Sequence, residues 1–358
     1  MANKGYFINT DISGYTEYLT ESELDHAHAT LRSLFDVQLA NIKFPLKISG
    51  FRGDAIFMYT PEACFVNPQT FLELLENLYI VFVDTLRQMQ FNTTCQCRAC
   101  KNMGKLDLKM CIHYGEYMIQ KLGDREELLG ADVIVPHRML KNTVIEKTGV
   151  KAYALFSEAA ADTLRLSELS QPLIPHTETY EHLGEVRMQV YDLSQVWKNA
   201  LERQRRAVSK EEAWVYFESD LPYPPASVWE FLNTTSLEAR ILQLDTAERT
   251  DTLGGRVREE SKFHCAHEES HFYAKIVDWK PFEYYTFMQR AEPFGNLEYL
   301  QTRRFIPTEN GTRLLVTLSK PEGEITEETR GAFEWMMSLF ANVKTVMEEE
   351  IANGKVTL

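Results

Sequence analysis

The chain has 358 residues, of which 44% are hydrophobic and 25% are charged, and its formal net charge is -14. This composition is typical of a globular protein, and the excess of acidic residues excludes a surface that binds nucleic acid. No run approaches the ~20 apolar residues that a membrane-spanning helix needs, and the start, MANKGYF, lacks the features of an export signal. We therefore predict a cytoplasmic protein without a membrane span, with a length that fits two domains.

The first half begins with a short apolar strand at residues 6–8, which leads into a polar loop at 9–11. A helix follows, because Leu31, Phe35 and Leu39 recur at helical spacing.

A hairpin is predicted next, with strands at 44–49 and 55–59 around a turn at 50–54. A long helical pattern at 68–90 and an alternating strand at 106–114 complete the series. The order approximates βαββαβ, which predicts an α+β domain with a ferredoxin-like sheet covered by helices.

The second half has a different pattern. We place a first domain at 1–195, a polar helical linker at 196–211 and a second domain at 212–358. Beyond the linker the pattern predicts a strand at 214–218, short helices, a run of strands and one long helix at 327–351.

Two aspartates stand out in the first domain. Asp11 follows a strand and precedes a helix, so free backbone N–H groups lie beside its carboxylate, and Asp54 occupies the hairpin turn. The two carboxylates meet if the strands that carry them pair, and such a pair binds Mg²⁺ beside substrate phosphates. The alternative interpretation is local, with Asp11 as a helix cap and Asp54 as a turn residue.

Four segments of the first half, in order, are FINTDISGYT, FRGDAIFMY, CIHYGE and ELLGADVIVPHRML, and together they cover about residues 5–193. These segments resemble class III nucleotidyl cyclases. The resemblance implies that Asp11 and Asp54 bind Mg²⁺ or Mn²⁺, that Arg138 stabilises the transition state and that Glu127 helps to recognise a purine. It also implies a nucleoside triphosphate substrate and a homodimer.

The backbone that cradles the triphosphate would, by this resemblance, be that of Ile12, Ser13, Gly14, Tyr15 and Thr16.

Two positions depart from the pattern of the cyclases. Ile134 stands where an asparagine orients the ribose, and Gly50 stands where a lysine reads the base. An alkyl side chain donates no hydrogen bond, and loss of a positioned donor costs on the order of 2 to 4 kcal/mol in a transition state. Altered nucleotide choice, weak catalysis and binding without turnover all remain open.

Three cysteines form a crowded C-x-C-x-x-C motif at Cys95, Cys97 and Cys100. Thiolates at this spacing bind one Zn²⁺ in a structural site that needs a fourth ligand. We predict Cys111 as that ligand, with Cys64, His113 or another chain as alternatives. Ordinary reduced thiols and a redox or iron–sulfur role also fit the spacing.

The segments LPYPPASVWEFL and IVDWKPFEYYTF and the long terminal helix, over about residues 212–352, resemble the START-like or polyketide-cyclase superfamily. The resemblance implies a helix-grip fold with a cavity for a lipid or another apolar small molecule.

Three functions follow from these observations. The first is a cyclase that makes a cyclic nucleotide and pyrophosphate and is regulated by an apolar ligand. The second is a catalytically altered sensor or scaffold. The third is a carrier or enzyme for a small apolar molecule.

Overall fold

The computed structural model describes residues 2–65, 67–122, 125–169, 172–202, 205–251, 256–267, 270–291, 297–321 and 325–354. The chain forms two compact units. The first comprises Met1–Cys64 and Phe71–Glu202, and the second comprises Phe65–Thr70 and Arg203–Leu358. Both units combine helices with sheets, which confirms the α+β prediction.

The first unit contains eight of the strands that the structure describes. They are β1 (Asn3–Ser13), β2 (Lys47–Arg52), β3 (Ala55–Pro61), β4 (Asp107–Leu122), β5 (Arg125–Leu129), β6 (Tyr153–Ser157), β7 (Leu173–Tyr180) and β8 (Gly184–Asp192). Its described helices are α1 (Tyr15–Glu21), α2 (Leu24–Asn41), α3 (Pro68–Asn92), α4 (Arg98–Asn102), α5 (Ala131–Met139), α6 (Val144–Thr148), α7 (Glu158–Thr163) and α8 (Ser194–Glu202).

The sheet of the first unit has the strand order β2-β3-β1-β4-β6-β8-β7, and β5 pairs with β4. The order β2-β3-β1-β4, antiparallel throughout, is that of a ferredoxin-like βαββαβ unit. β6 then extends the sheet in parallel with β4.

β1 lies in the middle of this sheet and is covered on both faces. Phe7 packs with Phe57 and the α5 residue Val133, whereas the ring of Tyr6 lies 4.8 Å from that of Phe71 in α3. Because successive side chains of a strand point to opposite faces, helices cover β1 on two sides. The polar residues that follow in β1, Asn9 and Thr10, are also buried, whereas Asp11 is partly exposed.

Two local predictions in this region need correction. Asp11 lies within β1 and not in a loop, because the ladder with β4 continues to the pair Ser13 and Asp107. The hairpin turn is also shorter than the predicted 50–54, since only Gly53 and Asp54 lie between the strands. Gly53 has φ 64°, and glycine at the first position of a two-residue turn favours a tight hairpin.

The second unit is built on a seven-stranded antiparallel sheet with the order β10-β11-β12-β13-β14-β15-β9. Its strands are β9 (Val215–Leu221), β10 (Thr246–Asp251), β11 (Lys262–His267), β12 (Ser270–Lys280), β13 (Tyr284–Ala291), β14 (Leu297–Thr308) and β15 (Gly311–Leu318). Its described helices are α9 (Pro225–Asn233), α10 (Thr235–Ile241), α11 (Glu327–Ser338) and α12 (Asn342–Ala352).

One core joins the helices and the sheet of the second unit. Trp229 of α9 lies edge-on to Trp279, Tyr285 and Phe305 of the sheet, and Phe333 of α11 is fully buried in the same cluster. The terminal helix predicted at 327–351 is two α-helices, because a 3₁₀ turn at Leu339–Ala341 separates α11 from α12.

The predicted helical linker at 196–211 is helical only in its first part, since α8 ends at Glu202. Residues 203 and 204 lie outside the described residues. From residue 205 the chain packs within the second unit, where the N–H of Val208 donates to Oγ1 of Thr302 at 2.9 Å. Among the described helices, none is long and apolar enough to cross a membrane.

Candidate functional site

Asp11 and Asp54 lie beside each other where β1 meets the β2–β3 hairpin. Oδ2 of Asp54 accepts a hydrogen bond from the backbone N–H of Ile12 at 3.2 Å. Burial raises the pKa of Asp54 to about 6, and the negative charge of Asp11 adds to this effect. Two neighbouring carboxyls resist double ionisation, so a bound cation relieves their repulsion.

Lys109 is the third charged group of this site, and the sequence analysis missed it. It lies opposite Asp11 in the β1–β4 ladder, and its Nζ is 2.9 Å from Oδ2 of Asp11. Both side chains are less than a fifth exposed, at 19% for Lys109 and 17% for Asp11. With Asp54 ionised, the three groups carry a net charge of about -1, which leaves the site attractive to a cation.

The predicted phosphate cradle is a tight turn between β1 and α1. Gly14 has φ 82°, a left-handed conformation that favours glycine, and Tyr15 and Thr16 form the start of α1. The N–H of Ile12 points to Asp54 and is therefore occupied, contrary to its predicted role in the cradle. The hydroxyl oxygen of Ser13 is buried and has no hydrogen-bond partner among the described residues.

α5 is held tightly against β4. The N–H of Glu116 donates to Oδ2 of Asp132 at 2.7 Å, and a Cβ on Gly115 would lie 2.3 Å from the Asp132 side chain. Only glycine fits at position 115, because real Cβ atoms do not approach other atoms so closely. The glycine of the CIHYGE segment therefore sets the position of α5.

Arg138 and Ile134 project from α5 into solvent, with Ile134 51% exposed. They are one helical turn apart, so they share a face. Glu127 is also exposed and lies on β5 opposite Gln120. Gly50 lies in β2, and open space surrounds the position that its Cβ would take.

His137 connects α5 to β1. Nδ2 of Asn9 donates to Nδ1 of His137 at 2.9 Å, and the ring of Phe57 lies 4.3 Å from the imidazole. Burial, aided by the positive charge of Arg52, lowers the pKa of His137 to about 4. The imidazole is therefore neutral at neutral pH and accepts this hydrogen bond. No local pattern in the sequence indicated the pair.

The cysteine cluster includes a ligand that the sequence analysis did not find. His26, Cys95, Cys97 and Cys100 place one nitrogen and three sulfur atoms within 4.8 Å of one another. Cys111 does not join them, contrary to its predicted role: it is fully buried in β4, and burial raises the pKa of its thiol to about 12.

The alternative fourth ligands, Cys64 and His113, also lie outside this group. His113 instead lies 2.8 Å from the hydroxyl of Ser157 through its Nδ1.

The second unit encloses a cavity of about 270 Å³. Phe263, Phe287 and Trp335 give it a mainly apolar wall, and Gln289 and Arg303 add polar groups. Oε1 of Gln289 has no hydrogen-bond partner among the described residues.

The guanidinium at the cavity wall is paired. Arg303 is fully buried, and its Nη1 lies 2.6 Å from Oε1 of Glu238, which also lines the cavity. Its Nε donates to Oε1 of Gln301 at 3.0 Å. A buried charge is tolerated only when it is paired and hydrogen-bonded in this way.

Comparison with known sequences identifies one relative with substantial overlap. The uncharacterised protein Rv2561/Rv2562 of Mycobacterium tuberculosis is 31% identical over 157 residues, which are 42% of this chain and 67% of that protein. The chain belongs to the family of this mycobacterial protein. A family profile described as "Protein of unknown function (DUF2652)" matches residues 31–148. The match includes Asp54 and the cysteines of the cluster.

Solved structures of nucleotidyl cyclases are among those that resemble the chain over about half its length. The guanylyl cyclase Cya2 matches with a TM-score of 0.42 and 12% identity, covering 53% of this chain and 92% of that one. A bacterial light-regulated adenylyl cyclase gives 0.40 and 12%, covering 56% and 98%. The adenylyl cyclase CyaB from P. aeruginosa gives 0.37 and 14%, covering 54% and 95%.

Proposed function

We propose that the first unit binds a divalent cation and the phosphates of a nucleoside triphosphate and converts the nucleotide to a cyclic nucleotide and pyrophosphate. The observation that carries the proposal is the position of Asp54 beside Asp11, where its Oδ2 accepts a hydrogen bond from the N–H of Ile12 at 3.2 Å and burial raises its pKa. Perturbed carboxylates that lie together in this way are typical of functional sites, because a stable fold alone gains nothing from their repulsion.

Asp11 and Asp54 fit a hard cation, since carboxylate oxygens are the ligands that Mg²⁺ and Mn²⁺ prefer. Lys109 already compensates one negative charge of the pair. The charge balance fits one divalent ion in the free protein, with a second bound together with the phosphates. When bound, these ions would neutralise the polyphosphate and activate the ribose 3′-hydroxyl.

The other residues of the first unit position the nucleotide. The start of α1, at Tyr15 and Thr16, faces the phosphates with backbone N–H groups. The hydroxyl of Ser13, which has no partner in the part of the chain that the structure describes, offers one more donor. Gly14 allows close approach because it has no side chain. Glu127 contributes to recognition of the base.

Arg138 acts in a site shared by two copies of the chain. It is exposed on α5, and exposed apolar side chains lie nearby on the same unit: Met118 and Leu129, which are opposite each other in the β4–β5 ladder, and Ile134 on α5. A homodimer that covers these residues brings Arg138 of the second copy to the phosphates of the first. Substitution of Leu129 by Asp would test this, with a dimer-to-monomer shift in analytical ultracentrifugation as the expected result.

A direct assay tests the activity. The protein is incubated with ATP, GTP, CTP and UTP in the presence of Mn²⁺, and cyclic product and pyrophosphate are detected. Product that disappears in Asp54→Asn and persists in the exposed-site control Asp36→Asn supports the proposal. If neither product nor metal-dependent nucleotide binding occurs, the proposal is wrong.

A second function, nucleotide sensing without turnover, is favoured by Ile134. Its side chain is exposed, apolar and unable to donate a hydrogen bond to a ribose. Metal-dependent binding of a fluorescent nucleotide without cyclic product would identify the protein as a sensor or scaffold. Ile134→Asn and Gly50→Lys, separately and together, would then be expected to bring about turnover, because Gly50 has room for a longer side chain.

For the second unit we propose a helix-grip, START-like fold that binds an apolar small molecule. The cavity supports this, because its wall is mainly apolar while the amide oxygen of Gln289, which has no partner among the described residues, offers an acceptor to a hydroxyl or N–H group of the ligand. A ligand with different affinity for two states of the chain would regulate nucleotide turnover. If apolar ligands that bind the cavity leave nucleotide affinity and turnover unchanged, the regulatory role is wrong and a carrier or enzyme role of the second unit is favoured.

A further inference from the structure

His26 and three cysteines from a distant part of the sequence converge on one point in the first unit. Nδ1 of His26 lies 3.2 Å from Sγ of Cys97 and 3.6 Å from Sγ of both Cys95 and Cys100. His26 belongs to α2, whereas Cys97 precedes α4 as its N-cap residue. Packing alone gives no reason for three thiols to surround one imidazole nitrogen at the surface.

The separations match those of ligands around a single zinc ion. With Zn–S distances of about 2.3 Å and Zn–N distances of about 2.0 Å, the edges of a tetrahedron are about 3.5 to 3.8 Å long. The N–S distances of 3.2 to 3.6 Å in the cluster are close to this range before any metal draws the ligands into place. One ion therefore fits with small side-chain movements.

We propose that His26, Cys95, Cys97 and Cys100 form a structural zinc site that fastens the segment 93–105 to α2. Three sulfur ligands and one imidazole exclude the hard cations Mg²⁺ and Ca²⁺ and are the ligand set of closed Cys₃His zinc sites. An iron–sulfur cluster spreads its ligands over several irons, so its ligand atoms lie further apart than those of this group.

Hydrogen bonds around the sulfurs support the assignment. The N–H of Cys100 donates to Sγ of Cys97 at 3.4 Å, and the hydroxyl of Thr93 donates to Sγ of Cys100 at 3.6 Å. Such bonds stabilise thiolates, and partners of this kind orient the ligands of metal sites. The zinc ligands thus receive donors from the same short segment that carries them.

A second link ties the same two elements together. The carboxylate of Glu23, at the start of α2, accepts a hydrogen bond from the N–H of Ala99 at 3.0 Å and lies 3.5 Å from Nε of Arg98. α2 and α4 therefore meet in a defined orientation, and His26 is presented to the cysteines. Preorganisation of this kind is what a structural metal site requires.

The segment 93–105 packs against the turn at Gly14. The carbonyl oxygen of Lys105 lies 3.4 Å from the position of a Cβ on Gly14, and Nζ of Lys105 lies 3.4 Å from the carboxylate of Glu17 in α1. Zinc in this site therefore stabilises the segment 93–105, against which the turn at Gly14 packs. The zinc assignment does not depend on the nucleotide function proposed for that turn.

The metal content of the full-length protein tests the assignment. Protein purified under reducing conditions, and loaded with Zn²⁺ if it is isolated without metal, is expected to hold one zinc per chain by plasma mass spectrometry. Co²⁺ loaded in its place is expected to give intense thiolate charge-transfer and tetrahedral ligand-field bands. Reduced protein that binds no zinc after loading, or Co²⁺ bands of an octahedral oxygen site, would overturn the proposal.

Three variants locate the ligands. His26→Ala and Cys97→Ser are expected to weaken zinc binding by at least about 100-fold in a competition titration with a chromophoric chelator, because each loses a direct ligand. Cys111→Ser, a buried cysteine of the same unit outside the cluster, is expected to bind zinc like the unaltered chain. Loss of zinc in Cys111→Ser together with its retention in His26→Ala would refute the ligand set.

A measurement on the unaltered chain tests the proposal even if the variants fail to fold. Removal of zinc with a chelator is expected to speed hydrogen exchange in the segment 93–105 and at the start of α2, and added zinc is expected to reverse this. Exchange in 93–105 that is the same with and without zinc would show that the ion does not fasten the segment. This measurement needs no nucleotide, so it can fail or succeed independently of the cyclase assay.

Discussion

Replacement of Asp54 by Asn should make the metal-free protein more stable while it abolishes cation binding. The substitution keeps the shape of the side chain and an oxygen that accepts the hydrogen bond from Ile12, but it removes a charge that is buried beside Asp11. A residue that costs stability in the free protein is one that serves a ligand. The opposite signs of the two effects are the signature to measure.

The magnitude follows from the pKa of Asp54, which rises from an ordinary 3.8 to about 6. At 1.36 kcal/mol per pKa unit, ionised Asp54 opposes folding by about 3 kcal/mol at neutral pH. The side chain is only partly buried, so solvent screening reduces this, and we expect Asp54→Asn to gain about 1 to 2 kcal/mol at pH near 7.5.

The sign of the pH dependence is fixed by the direction of the shift. Between 3.8 and about 6 the folded chain keeps a proton on Asp54 that the unfolded chain releases, so stability falls as the pH rises through that window. Asp54 has no effect on stability at low pH, where both states are protonated, and it opposes folding above the window. The difference between Asp54→Asn and the unaltered chain is therefore expected to be near zero below pH 4 and to reach its full value above about pH 6.5.

Hydrogen exchange of peptides from β1 and β3, in EDTA and across this pH range, measures the local free energy without assuming that a two-unit chain unfolds in one step. Mn²⁺ with nucleotide at 100 times its Kd is expected to stabilise the unaltered chain by about 2.7 kcal/mol and to leave Asp54→Asn unchanged. Asp36→Asn serves as the exposed control. A variant that is less stable in EDTA at neutral pH, or a difference that does not vary with pH, would refute the reasoning.

Three further substitutions test other parts of the structure. Lys109→Met removes the positive charge that compensates the Asp11–Asp54 pair, so it should lower the stability of the metal-free protein by about 1 to 3 kcal/mol. It should also tighten divalent-cation binding severalfold in isothermal titration. An unchanged cation affinity would contradict the role of Lys109 in the site. Gly115→Ala should displace α5 and cost about 1 to 3 kcal/mol in urea unfolding, whereas Gly50→Ala, which meets open space, should cost less than about 1 kcal/mol. Ala332→Trp should fill the cavity of the second unit and reduce binding of an apolar fluorescent dye at least tenfold. Ala341 does not line that cavity, so Ala341→Trp should leave dye binding unchanged. Equal dye binding by the two variants would show that the dye binds elsewhere.

The sequence identified most of the residues at the end of β1, because their signals are local. A polar end on an apolar strand, followed by glycine and a helix, indicates a strand-to-helix turn, and a glycine before Asp54 indicates a tight hairpin. These patterns do not say where the strand stops. Pairing with β4 extends β1 through Asp11, and this ladder is a long-range contact that no window of sequence contains.

The cysteine cluster is a second case in which local sequence patterns did not reveal a long-range contact. The spacing of Cys95, Cys97 and Cys100 indicated a metal site, but His26 is 69 residues away from Cys95 and carries no motif. Cys111 follows soon after in sequence, yet the alternation of β4 buries it in the core.

The amino-acid sequence by itself determined the α+β class and the three crowded thiols, because strand period and motif spacing are properties of neighbouring residues. It indicated Asp11 and Asp54 through the resemblance of their segments to the cyclases, but it left open whether the two carboxylates meet. Only the tertiary structure placed Lys109 on Asp11 and His26 among the cysteines. Strand register and helix packing are set by burial of apolar surface over the whole unit. The neighbours that these elements bring to a site, such as Lys109 and His26, are therefore known only from the folded structure.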